Sequence, residues 1–118
     1  MAKTYAVVIG VVLLLVGILG FVPPFKTDGL MGLQFTTLHN VIHLLTGVIG
    51  VGTGLSKSAN APRVFAQVFG VIYTLVAILG FANIDPLELG LTLEYNIIHL
   101  VIGLWGLAAG FAGSKTAS

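Results

Sequence analysis

Three histidines are the residues of this chain best suited to chemistry, and two of them stand in matched settings. Asn40-x-x-His43 and Asn96-x-x-His99 each lie inside an apolar run. Polar side chains in hydrocarbon are costly, so each needs a reason. Three chemistries fit. Asparagine and imidazole can serve as hydrogen-bonding pins between helices, each contact worth about 0.6 kcal/mol on average in membrane bundles. Two imidazoles at equal depth on adjacent helices could instead ligate a haem b from its two faces, or each could hold a chlorophyll magnesium. The glycine four residues after each histidine, Gly47 or Gly103, leaves room for a flat ring. His39 and His43, four apart on one helical face, have the spacing for a shared divalent ion, with His99 and Glu94 or Asp28 completing the shell.

The pin reading for Asn40, His43, Asn96 and His99 is the one the pattern favours, with no cofactor. A haem would need propionate-binding bases near the histidines, and Lys26 is the only base on that side. The metal set is not repeated along the chain, because His39 aligns with Tyr95, and both then read as interfacial residues. Trp105 and six phenylalanines (Phe21, Phe35, Phe65, Phe69, Phe81 and Phe111) read as lipid-facing or interfacial packing.

The elements that must position these residues come in two copies. Residues 10–22, GVVLLLVGILGFV, return as residues 70–82, GVIYTLVAILGFA, and residues 40–54, NVIHLLTGVIGVGTG, return as residues 96–110, NIIHLVIGLWGLAAG. Four apolar stretches follow, at about 5–22, 35–55, 64–82 and 95–112, separated by proline and polar clusters. Each is long enough for the roughly 20 residues that a helix needs to span a bilayer. The expected fold is an all-α integral membrane domain over 1–118, a four-helix bundle. It is made of two parallel helical-hairpin repeats, about 5–55 and 64–112, joined by a loop at about 56–63 and related by a pseudo-twofold axis along the membrane normal. The first stretch is not read as a cleaved signal, since the third repeats it in mid-chain.

Within each second helix the spacing is regular. Asn40, His43, Gly47, Gly50 and Gly54 advance by threes and fours, as do Asn96, His99, Gly103, Gly106 and Gly110. That places the polar pair at the mouth of a small-residue packing seam, and Gly50/Gly54 and Gly106/Gly110 are G-x-x-x-G pairs. Gly10, Leu13, Gly17 and Gly20, then Gly70, Tyr73, Ala77 and Gly80, make similar stripes on the first helices.

Composition agrees with a membrane domain: 57% of residues are hydrophobic, 8% are charged and the mean hydropathy is +1.08. The absence of cysteine excludes disulfides and thiolate sites, and a net charge of +1 argues against a nucleic-acid partner. Lys3, Lys57, Arg63 and Lys115 fall on one side, and Asp28, Asp85, Glu88 and Glu94 on the other with Lys26. The positive-inside rule puts both termini in the cytoplasm. No span carries an acid, lysine or arginine, which disfavours a pump or carrier and leaves a channel only through oligomerisation. Ser56, Ser58, Ser114 and Ser118 lie across the membrane from every histidine, so no serine–histidine pair points to an enzyme.

The doubled G-x-x-x-x-L-x-x-I-L-G-F followed by N-x-x-H-L-x-x-G-x-x-G resembles a group of small bacterial four-helix membrane proteins classed only as a domain of unknown function. The likeness runs from about Ala6 to Phe111. It implies a bacterial inner-membrane location and carries no activity, substrate or cofactor. The expected role is therefore a structural or accessory membrane protein. It would work through helix–helix contacts in the lipid bilayer, as a homo-oligomer or with other membrane subunits. A tetrapyrrole-binding subunit using His43 and His99 is the alternative.

Overall fold

The computed structural model describes residues 1–23, 33 and 35–112. Lys26, Asp28, Ser114, Lys115 and Ser118, used above for orientation, the haem and metal readings and the serine comparison, lie outside the described residues. Four helices appear: α1 (Ala2–Leu19), α2 (Thr37–Leu55), α3 (Asn60–Phe81) and α4 (Leu93–Leu107), which runs on into a π-helical turn over Ala108–Ala112. All four are long and apolar enough to cross a membrane, and only 33–39% of the residues in each span are buried inside the bundle. The fold is consistent with a multi-pass membrane protein.

The boundaries follow from backbone hydrogen-bonding needs. Thr36 opens α2 by accepting the His39 N–H at 3.0 Å, which satisfies a first-turn donor that has no partner in the helix. Helix α3 starts earlier than the 64 expected from sequence, at Asn60. The Ser58 hydroxyl accepts the N–H groups of Asn60 and Ala61 at 3.2 Å each, and Pro62 falls in the first turn, where its missing N–H costs nothing. At the other end of α3, Asn83 takes φ 62°, while the Ile84 N–H reaches the Leu79 carbonyl at 2.8 Å and the Asn83 N–H reaches Gly80 at 3.0 Å. That is a Schellman stop, with asparagine tolerating the left-handed position.

The chain then turns on Asp85. Its carboxylate accepts the N–H groups of Leu89, Gly90 and Leu91 at 2.9, 2.8 and 3.2 Å. Desolvation pushes this carboxyl upward, but the three donors outweigh it and hold it below the usual carboxylate range. With the folded value depressed, the contribution is present above the ordinary carboxylate value and is lost only as pH falls through the lower one. Asp85→Ala is expected to speed amide hydrogen exchange at Leu89–Leu91 roughly tenfold at neutral pH, with the helices unaffected. Unchanged exchange would show that the turn holds itself.

Within each hairpin the helices touch backbone to backbone. A Cβ on Gly10 of α1 would come within 2.6 Å of the Val51 nitrogen, and one on Gly47 of α2 within 2.8 Å of the Gly10 carbonyl. The second hairpin repeats the approach: a Cβ on Gly70 of α3 would lie 2.6 Å from the Leu107 nitrogen, and one on Gly106 would lie 2.7 Å from the Gly70 Cα. Glycine at these crossings is what brings the axes together in lipid, where tight contact replaces the hydrophobic drive.

The hairpins meet around Tyr5. This side chain is fully buried, its hydroxyl donates to the Ile102 carbonyl at 3.0 Å, and its ring lies 5.1 Å from Trp105 and 6.1 Å from Phe65. Ala2, Ala6, Ile9, Ala66 and Ala109 close the same core. The reading of Trp105 and the six phenylalanines as lipid-facing or interfacial packing is thus corrected for Phe65, Phe69 and Trp105. Phe65 is core, and Phe69 and Trp105 pack on it, while Phe21, Phe81 and Phe111 do face outward.

Candidate functional site: a histidine cluster at one end of the bundle

The α2 face carrying His39 and His43 and the α4 face carrying Tyr95 and His99 converge at the end of the bundle opposite Tyr5. His39, His43 and His99 are 2%, 5% and 4% exposed. The His39 and His43 rings lie 4.2 Å apart, as the i, i+4 spacing dictates, and His39 reaches across the hairpins to His99 at 6.0 Å and to Tyr95 at 5.3 Å. His99 stacks near-parallel on Tyr95 (6.0 Å, 23°) and lies 5.5 Å from Tyr73 of α3. Phe35 closes the outer rim with its edge toward His39, His43 and Tyr95.

His39 and Tyr95 are therefore interior residues, which overturns the interfacial reading. Each ends an apolar helix, where a polar aromatic commonly sits at the headgroup level. Here the crossing of the two hairpins covers both. Tyr73, Phe35 and Thr46 were not singled out as site residues, although the spacing of Gly70, Tyr73 and Ala77 did put Tyr73 on the packing face.

Asn40 and Asn96 have a separate place. A Cβ on Gly20 of α1 would collide with the Asn40 side-chain oxygen, and a Cβ on Gly80 of α3 would collide with that of Asn96. In both hairpins the glycine hydrogen in that position points at the oxygen, a weak C–H···O contact that rationalises a recurring geometry. Each asparagine thus fits against a glycine at this end of its own hairpin. Gly54 meets Val7, Gly103 meets Thr74 and Gly110 meets Gln67, whose Nε2 donates to the Gly110 carbonyl at 2.9 Å. That donor serves a carbonyl at the helix end, where intrahelical partners run out.

Among the described residues the Oδ1 atoms of Asn40 and Asn96, Arg63 Nε and Thr74 Oγ1 are buried without a conventional hydrogen bond, and so are three imidazole nitrogens. The Nδ1 atoms of His39, His43 and His99 are buried and have no hydrogen-bond partner among the described residues. Two small cavities flank the His43–Tyr73–His99 layer. One, of about 130 Å³, lies between α2 and α3, with His39 and Thr46 in its wall and Leu87 and Leu89 of the Asp85 turn over it. The other, of about 180 Å³, lies between α1 and α4, with Phe35, Tyr95 and Leu13 in its wall. Among the described residues no three His, Cys, Asp or Glu side chains are arranged to hold a metal ion.

Residues 3–112 match the family described as Domain of unknown function (DUF4383). The chain belongs to this family. No curated protein and no solved structure matches it.

Proposed function

We propose that this protein is a non-enzymatic structural or accessory component of a bacterial inner membrane, working through helix–helix contacts in a homo-oligomer or a larger membrane complex. One observation carries the reading. An apolar groove of about 450 Å³ runs along the outer surface between α2 and α3, walled by Ile49, Thr53, Val64, Val68 and Phe69. Beside it, Gly52 of α2 has nothing within 4 Å of its Cβ position, a small residue facing outward of the kind that lets a further helix approach. The glycine seats of Asn40 and Asn96 support a role for the polar pairs as pins inside each hairpin.

The two hairpins are read as parallel repeats about an axis along the membrane normal. Lys3, Lys57 and Arg63 at one end and Asp85, Glu88 and Glu94 at the other support cytoplasmic termini. The test of the association is mass. Protein extracted in native lipid patches and weighed by native mass spectrometry should give particles heavier than one 12.3 kDa chain, and Val68→Trp, which fills the groove, should return single chains. A lone chain from the native membrane would overturn the proposal.

A further inference from the structure

The histidine cluster does something the groove does not need, and the inference drawn from it does not depend on the association proposed above. Three imidazoles, each more than nine-tenths buried, hold Nδ1 atoms without a hydrogen-bond partner among the described residues, and His43 and His99 line both cavities. A buried nitrogen left without a hydrogen bond costs about 1–3 kcal/mol, and here three such nitrogens are gathered in one layer beside two cavities. The cavity walls set a few polar side chains, His43, His99, Tyr73 and Thr46, against mainly Ile, Val, Leu and Phe carbon, a lining that suits a ligand with one polar end and an apolar body.

We infer that the cavities beside His43 and His99 form a binding site for a lipid-soluble molecule with a phenolic head: one benzenoid ring bearing a hydroxyl. Size selects the ring, since an apolar cavity of about 150 Å³ is known to take up benzene, and these hold about 130 and 180 Å³. Shape selects flatness. The Tyr95 and Tyr73 rings lie 6.0 and 5.5 Å from His99 with interplanar angles of 23° and 34°, and all three line the 180 Å³ cavity, so its wall is built of ring surface that a flat ligand can lie against. Polarity selects the hydroxyl. A neutral imidazole nitrogen is either donor or acceptor according to tautomer, and a phenol can answer both. A carbonyl head can only accept. The apolar remainder of such a molecule would lie along Val12, Val16 and Ile98 of the same cavity wall.

The chain has three histidines, so labelling them with ¹⁵N gives a simple spectrum. The full chain in nanodiscs is titrated with phenol, and with toluene as a ring of similar size without oxygen. Phenol should bind at least tenfold more tightly than toluene and should move the Nδ1 resonances of His43 and His99. The double variant His43→Phe/His99→Phe keeps ring volume while removing the nitrogens, and its thermal melting, followed by Trp105 fluorescence, verifies the fold. In a variant so verified, phenol should bind no better than toluene. Equal binding of phenol and toluene to the wild-type chain, no binding of phenol, or a phenol preference that survives in the folded double variant would each overturn the proposal. Should that variant not fold, His99→Phe alone decides by the same comparison, with an undiminished preference counting against the site.

Discussion

Gly106→Val is expected to abolish cooperative folding of the bundle. A Cβ at this position would stand 2.7 Å from the Gly70 Cα and 2.7 Å from the Tyr5 hydroxyl. The first neighbour is backbone of the facing helix, and the second is a ring held by its bond to the Ile102 carbonyl and by Trp105. Overpacking against side chains that can move costs about 1–3 kcal/mol, and with both neighbours fixed the loss should be at least about 3 kcal/mol. The readout is built in, because the chain's single tryptophan is the adjacent residue, Trp105. Thermal unfolding in detergent, followed by its fluorescence, should lose its transition. Gly52→Ala is the matching control in detergent that disperses single chains: its Cβ meets nothing of its own bundle within 4 Å, so the lone chain should melt unchanged or gain up to about 1 kcal/mol from better helix propensity. If both variants melt like the parent, the close approach of α3 and α4 is not what holds the hairpin.

Tyr5→Ala should cost about 3 kcal/mol, the scale of removing a buried aromatic ring. Its origin differs from that in water. Lipid is as apolar as a protein core, so the loss is of packing contacts and of the hydroxyl's bond to Ile102, with little transfer term. Tyr5→Phe keeps the ring and should lose only about 1 kcal/mol. The two hairpins should come apart in Tyr5→Ala while each stays helical. Circular dichroism would then retain its helical signal while Trp105 fluorescence shifts at a lower melting temperature. Equal melting of the Ala and Phe variants would show that the ring is not the joint between the hairpins.

Hydropathy and the spacing of threes and fours made the helices and their glycine faces legible in the sequence. Those signals are local: each helix must hide its small residues from lipid, whatever its neighbours do. What was not legible depends on how one hairpin lies across the other. Tyr5 falls at the first residue of an apolar stretch, and nothing in one strand of sequence says that its hydroxyl reaches a carbonyl 97 residues away. The alignment of Tyr5 with Phe65 in the other repeat was a usable hint, since both are large aromatic residues at the start of a seam. His39 and Tyr95 misled for a physical reason. At the end of a span, burial by protein and immersion in headgroups favour the same residue types. The start of α3 lies four residues before the expected 64, because Pro62 sits inside the first turn and the Ser58 hydroxyl serves the helix N-terminus at Asn60 and Ala61.

The backbone-to-backbone glycine contacts of Gly10, Gly47, Gly70 and Gly106 join helices of the same hairpin, and this bears on how the chain reaches its place. A ribosome feeding the membrane releases α1 and α2 first, with Gly10, Gly47 and Gly50 all present, so the tightest contacts of that half close before α3 has been made. The second half then has a finished surface to dock on, and assembly reduces to one lateral encounter of two ready-made parts. Each helix thus has its closest backbone partner one loop away, an arrangement that allows insertion in two steps.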